Sequence, residues 1–316
     1  MSYELKKDTK IYVAGHKGLI GSAFIRFFEK NGYKNIVVED RSNLDLCCKE
    51  DTDNFFQENQ PKVVILAAGR VAGIIQNRDF PADFIYENLS IQLNVFNAAQ
   101  KYNVKRLIFF GSSCMYPRET SQPMTEDQLL TGPPESTSIA YAIAKFTGVQ
   151  MCKAINRQSD SVSFIPVIPN SVYGPHDNFD LNSSHVLSGL IRRLHEAKEK
   201  NKLSVTLWGT GTPKREFVFV DDVVDACLLI LNKSLSNDKL PINIGVDQDI
   251  SIKLLAEKIK RMVNYSGVIK WDKTKPDGAP RKLLDCSRVH SIGWKASTDF
   301  DKGLVLAYKW YLENIV

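Results

Sequence analysis

Two tyrosine-bearing segments hold the residues whose types and spacing can do chemistry: Tyr141-Ala142-Ile143-Ala144-Lys145 and Gly111-Ser112-Ser113-Cys114-Met115-Tyr116. Tyr141 and Lys145 are four apart in a stretch with helical patterning, so both project from one face. A phenol beside an ammonium ionises below its ordinary pKa of about 10, because the positive charge favours phenolate. The expectation is a Tyr141 of depressed pKa that gives and takes the proton of a carbonyl/alcohol couple. Ser112, four residues before Tyr116, offers a hydroxyl to polarise the same carbonyl, although serines at a strand end also serve simply as turn and capping residues.

Cys114 and His185 form a second candidate pair. A lone cysteine is more often a small buried hydrophobe than a catalyst, but Cys114 falls at the expected carboxyl edge of a sheet. A thiol with a pKa of about 8.5 works as a general base once a nearby cation lowers it. His185, with an ordinary pKa of about 6.5, is the complementary acid. The histidines at 16, 176, 195 and 290 support no such argument from their own surroundings.

Near the N-terminus, Gly15-His16-Lys17-Gly18-Leu19-Ile20-Gly21 reads G-x-x-G-x-x-G between an apolar run and a helical stretch. Glycines there let a backbone approach a pyrophosphate, and the helix start offers free N–H groups and the positive end of a dipole. The residues after the second strand choose between nicotinamide dinucleotides: a carboxylate favours the ribose hydroxyl of NAD, an Arg the 2′-phosphate of NADP. Glu39-Asp40-Arg41 contains both. Lys17 and Arg41 favour NADP(H), with Arg41 as a merely solvated loop charge as the alternative.

The elements that must position these groups follow from periodicity. Short apolar runs at 10–14, 36–38, 63–66, 106–110 and 163–168 read as strands, the last made awkward by Pro166. Helical patterns fall at 20–31, 49–59, 83–102 (closed by Asn103) and 138–157. This alternation predicts an α/β, Rossmann-type doubly wound parallel sheet, with ligands at the carboxyl ends of its strands. After about 175 the rhythm changes. Helices are expected at 186–200, 251–264 and 299–314, a strand at 205–208, a strand from 217 running into an N-capped helix over 222–233, and a charged Pro/Gly-rich loop at 273–281. The expected division is a nucleotide-binding domain over 1–175, to which about 217–245 return, and a smaller substrate lobe mainly over 176–316.

Composition bounds the rest. The chain has 316 residues, 43% hydrophobic and 24% charged, with a net charge of +5, which is ordinary for a soluble protein with a sizeable core. The basic residues are spread along the chain, against nucleic-acid binding, and a mild excess suits an anionic small substrate. The six cysteines at 47, 48, 114, 152, 227 and 286 show no metal-ligand spacing, so no metal is expected, and free thiols in a reducing cytoplasm are. No apolar run approaches the roughly 20 residues of a membrane span.

Taken together, the chain resembles the GDP-L-fucose synthase family of the extended short-chain dehydrogenase/reductase superfamily. The matching stretches are AGHKGLIGSA (14–23), ADFIYENL (82–89), GSSCMYP (111–117), YAIAK (141–145), NSVYGPHDNF (170–179), WGTGTPKREFVFVDD (208–222) and KPDGAPRKLLD (275–285). The resemblance implies NADPH-dependent 3,5-epimerisation and 4-reduction of GDP-4-keto-6-deoxy-D-mannose. It implies Ser112, Tyr141 and Lys145 as catalytic triad and Cys114 and His185 as epimerisation base and acid. For the cofactor it implies Gly15 to Gly21, Arg41, Ala67, Ala68, Gly111, Lys145, Pro169, Asn170, Val172 and His185. For the GDP-sugar it implies Arg193, Trp208, Arg215 and Asp277. It also implies a homodimer paired through the helices near 83–102 and 138–157. Three alternatives stand beside it: the same chemistry on a related GDP-4-keto sugar such as a heptose, a non-catalytic dinucleotide-binding scaffold, and a UDP-sugar 4-epimerase.

Overall fold

The computed structural model describes residues 3–159, 162–233, 235–275 and 277–316. Pro276, inside the expected charged loop, lies outside the described residues. In chain order the first half contains β1 (Ile11–Ala14), α1 (Leu19–Lys30), β2 (Ile36–Val37), α2 (Lys49–Asn59), β3 (Val63–Leu66), α3 (Ile74–Asp79), α4 (Pro81–Lys101), β4 (Arg106–Phe110), α5 (Ile139–Gln158), β5 (Ser163–Pro169) and β6 (Ser171–Tyr173). There follow α6 (Val186–Glu199), β7 (Ser204–Trp208), β8 (Lys214–Arg215), β9 (Phe217–Phe219), α7 (Val220–Leu231), β10 (Ile242–Ile244), β11 (Ile250–Ser251), α8 (Ile252–Val263), β12 (Val268–Asp272), β13 (Arg281–Lys282), α9 (Ser287–Ser291) and α10 (Phe300–Asn314).

Six of these strands form one parallel sheet in the order β10-β5-β4-β3-β1-β2. Ile11, Val13, Ile65, Leu107 and Val167 are buried, as strands covered on both faces by crossover helices require. α1 packs on α7, while α4 packs on α2 and α5. The chain leaves β1 toward β2 on one side and toward β3 and β4 on the other, so the switch in strand order falls between β1 and β3. A doubly wound sheet opens its ligand crevice at that point. Pro166, expected to be awkward, is paired with Phe109 of β4, and the β10 ladder begins only at Val167. The missing N–H therefore falls where one flank is not yet paired.

The apolar residues fall into two clusters. The larger surrounds the six-stranded sheet and also takes in Leu284, Cys286, Val289 and Trp294 from late in the chain. The smaller gathers Tyr173, Phe179, Leu187, Ile191, Leu194, Leu207, Leu255, Ile259 and Tyr311 around α6, α8 and α10. Its strands pair in small separate sheets: β7 with β12, β8 between β11 and β13, and β6 with β9. No described helix is long and apolar enough to cross a membrane.

Some expected boundaries need correction. α4 starts at Pro81 rather than 83, with proline in the first turn, where its missing N–H costs nothing. The helix expected at 222–233 starts at Val220, and no described side chain caps it. Asp222 instead holds the backbone N–H groups of Ser297 and Thr298. By contrast Ser251 and Asp299 do cap α8 and α10, accepting from Leu254 and Lys302.

Candidate active site

The glycine-rich turn sits at the switch point. Gly15 has a φ of +81°, and a Cβ there would lie 2.8 Å from the Ala68 nitrogen and 2.9 Å from the Ala67 carbonyl carbon. The close approach of the two strand ends thus requires glycine. A Cβ on Gly21 would run into the Gly15 carbonyl oxygen. Gly18 is the N-cap of α1, no described side chain caps that helix, and its first turn holds no acid. The N–H groups around Leu19 and Ile20 are therefore available to a pyrophosphate. Across the crevice a Cβ on Gly69 would lie 2.8 Å from Asn88 Oδ1 and 3.5 Å from Lys145 Nζ. Asn88 Oδ1 is buried without a hydrogen-bond partner among the described residues. A cradle free of side chains at one end and an unpaired polar group at the other fit a dinucleotide.

Beyond β4, Gly111 donates its N–H to Val167 O at 2.8 Å, and the chain turns through residues 113–115. Ser112 caps that turn, its hydroxyl accepting from the Cys114 N–H at 3.2 Å. The capping role considered for this serine is thus real, and it holds the thiol in place. Tyr141 and Lys145 project from the first two turns of α5 and are both buried. Lys145 Nζ lies 5.9 Å from the Tyr141 ring centre and 5.1 Å from that of Phe109. Burial brings its pKa down to about 8.

The depressed Tyr141 pKa expected from the sequence is not found. Burial raises the phenol, and Cys114 adds to the rise, against a smaller opposing hydrogen bond to Ser112. Desolvation of the charged form outweighs any help from Lys145. Tyr141 therefore keeps its proton at neutral pH.

Sequence reasoning missed Lys282. Its Nζ donates to Cys114 Sγ at 3.5 Å. Burial by itself would raise the thiol, but Lys282, with hydrogen bonds from Ser112 and Ser138, outweighs it, and Cys114 lies below its ordinary value. His185 is the N-cap of α6 and is exposed to solvent. The protein packed around it lowers its pKa, and the Lys282 ammonium lowers it further. One lysine thus acts on both members of the pair.

β13 pairs with β8 so that Lys282 stands beside Arg215, and like charges side by side on neighbouring strands repel. Burial lowers the Arg215 pKa, while Cys114 and Asp277 oppose that shift. Two adjacent cations, one of them half-buried, are chemically suited to an anion. Glu216 anchors this unit. It is wholly buried; one oxygen accepts from the N–H groups of Val246 and Asp247, and the other from Leu284 N and, at 2.5 Å, from Asn170 Nδ2. Asn170 also donates to Lys282 O at 3.3 Å. Asn170 follows Pro169 at the end of β5, with Val172 two residues on in β6.

The remaining expected contacts lie on α6, at the end of β7 and in the loop before β13. Arg193 is exposed and reaches Leu181 O at 3.4 Å. Trp208 is also exposed, with Lys275 Nζ 5.7 Å from its ring centre. Asp277 accepts from the N–H and hydroxyl of Thr210 at 2.7 and 2.8 Å, so its carboxylate already fastens the Gly209–Gly211 turn.

A model of the NAD dependent epimerase/dehydratase family matches residues 11–245, a span that carries the glycine turn, Ser112, Cys114, Tyr141, Lys145, His185 and Arg215. The chain belongs to the NAD dependent epimerase/dehydratase family. Among relatives within it, GDP-L-fucose synthase 1 of Arabidopsis thaliana is 45% identical over 98% of this chain and 95% of that protein. A GDP-6-OMe-4-keto-L-xylo-heptose reductase from C. jejuni superposes with a TM-score of 0.92 at 34% identity, covering 98% of this chain and 99% of that one. A GDP-D-glycero-L-gluco-heptose synthase from Campylobacter jejuni, solved in the presence of NADPH, gives 0.89 at 35% identity, covering 98% and 100%. Lys282 lies beyond the span matched by the family model. The cue to it in the sequence is its place in a charged segment, KPDGAPRKLLD, from which no single position stands out.

Proposed function

We propose that this chain is a bifunctional enzyme that epimerises C3 and C5 of GDP-4-keto-6-deoxy-D-mannose and then reduces C4, giving GDP-L-fucose with NADPH as reductant. The observation that carries the reading is the placement of Lys282 against Cys114, which turns an ordinary thiol into a base beside Tyr141. A C4 ketone acidifies the hydrogens on C3 and C5. Cys114 removes such a proton, the enolate forms, and His185 returns a proton on the opposite face, inverting the centre. Arg215 and Lys282 offset the charge of enolate and diphosphate. NADP(H), when bound, supplies the hydride for C4. Tyr141, which holds its proton at neutral pH, delivers it to the C4 oxygen, and Ser112 orients that oxygen. Lys145 and Asn170 hold the nicotinamide end, Gly15 to Gly21 the pyrophosphate, and Arg193, Trp208 and Asp277 the outer part of the GDP-sugar.

The Rossmann half, 1–175 with 217–245, holds the cofactor, and 176–316 mainly the sugar nucleotide. The two apolar clusters support this division, with Leu284, Cys286, Val289 and Trp294 joining the first and Tyr173, Phe217 and Phe219 the second. The exposed apolar residues Tyr86 and Leu93 on α4 and Ile139 and Ile143 on α5, which give two adjacent helices an outward apolar face, support a homodimer.

Product analysis with GDP-4-keto-6-deoxymannose and NADPH tests the reading: GDP-L-fucose is the expected product, and no NADPH oxidation would overturn it. A second reading, the same chemistry on a GDP-4-keto heptose, is favoured by the C. jejuni structural likeness. Faster turnover of the heptose substrate in the same assay would select it.

A further inference from the structure

Three charged residues follow β2, and the structure separates their roles. Glu39 folds back into its own loop, accepting from Asn43 Nδ2 at 2.8 Å and from the Asp40 N–H at 3.3 Å. Arg41 leans on α4, its Nη2 3.4 Å from Glu87 Oε2, while the other oxygen of Glu87 takes Arg70 Nη1 at 2.5 Å. Asp40 alone reaches the glycine-rich turn. Its carboxylate lies 2.7 Å from Lys17 Nζ and 3.4 Å from His16 Nε2, and the hydrogen bond from Lys17 holds it below the usual carboxylate range. Lys17 and Arg41, the cations that a 2′-phosphate would seek, thus already have internal carboxylate partners.

We propose that Asp40 is a cofactor-discriminating residue: an internal anion that occupies the Lys17 ammonium in the glycine-rich turn, accepts the ribose 2′-hydroxyl of NADH, and so lets this chain bind NADH alongside NADPH. The inference rests on the dinucleotide reading of the glycine turn and not on the identity of the sugar. A 2′-phosphate brings nearly two negative charges. To reach Lys17 it must displace the Asp40 carboxylate and then sit beside it. NADH carries no such charge and meets the same carboxylate as a hydrogen-bond acceptor. The magnitude is bounded by exposure. Lys17 is 72% and Asp40 39% exposed at the side chain, and a pair so open to water is worth no more than about a fivefold change in binding. Asp40 therefore blunts the preference for NADPH without reversing it.

The test is direct titration of the full chain with NADPH and with NADH, followed by nucleotide fluorescence in the absence of sugar. The wild type is expected to bind both, with dissociation constants within about tenfold of one another. Asp40→Asn is expected to tighten NADPH and weaken NADH, moving their ratio by about fivefold. Lys17→Met is expected to weaken NADPH alone. An unchanged ratio in Asp40→Asn, or a wild type that binds NADH more than about a hundredfold more weakly than NADPH, overturns the proposal. Binding of neither nucleotide overturns the dinucleotide reading and this inference with it, whatever sugar the enzyme takes.

Discussion

The two sides of the cleft are built on different principles. On the dinucleotide side, each functional group follows directly from a buried strand or sits in the first turns of a helix. Gly15 follows β1, Gly111 follows β4, and Tyr141 and Lys145 share one face of α5. On the sugar side, the cations come from two-residue strands far apart in sequence: Arg215 in β8 and Lys282 in β13, brought level by pairing. The first side is positioned by local sequence, the second by non-local assembly around one buried carboxylate, Glu216. In the proposed function the motif side supplies the reductase, and the assembled side tunes the base.

The comparison breaks most sharply on the motif side. Tyr141→Phe should lower the rate of NADPH oxidation with keto-sugar by roughly 10²- to 10⁴-fold, with an unchanged melting temperature. A variant that reduces at the normal rate would remove Tyr141 from the chemistry. On the assembled side the largest effect should be on stability. Glu216→Ala leaves buried donors from Asn170, Val246, Asp247 and Leu284 unpaired and should cost about 3 kcal/mol or more, read by denaturant unfolding. A loss below about 1 kcal/mol would show that the lobe does not depend on that carboxylate.

A pH effect should sharpen the contrast. Asp177, in the loop that joins the two sides, is buried, and burial raises its carboxyl to about 7 against a smaller opposing bond from the Asn178 N–H. One of its oxygens has no partner among the described residues. Its folded pKa exceeds the unfolded value, so the proton is held more tightly when folded, and this group favours folding at acid pH and loses that contribution as pH climbs through 7. Asp177→Asn should therefore raise the melting temperature at pH 8 more than at pH 5, and an equal change at both would contradict the burial argument. The smallest expected change is electrostatic. Lys282→Met removes the ammonium that favours the Cys114 thiolate. Its alkylation by iodoacetamide at neutral pH should slow by about tenfold, because the reacting thiolate becomes scarcer. Alkylation unchanged across the pH range would detach Lys282 from the thiol.

What is legible in the sequence divides along the same line. Five strands of the first half, the glycine turn and the Tyr141–Lys145 face are readable because apolar runs and helical spacing are local. β10 escapes a reading of the sequence because Asn243 interrupts its apolar run, and it is recognisable only once it lies beside β5. β12 escapes it because its residues are partly exposed and show no unbroken apolar run. The Tyr141 pKa is misjudged because spacing shows the neighbouring ammonium and not the degree of burial. Lys282 is hidden because nothing in sequence ties it to Cys114, 168 positions away.

The central claim is that Cys114, activated by Lys282, removes a proton from a 4-keto sugar before reduction. The most direct measurement is deuterium uptake into GDP-4-keto-6-deoxymannose in deuterated water without NADPH, read by mass spectrometry and proton NMR. The account predicts deuterium at C3 and C5 with the wild type and none above background with Cys114→Ala. No uptake by the wild type, or undiminished uptake by the alanine variant, would contradict it.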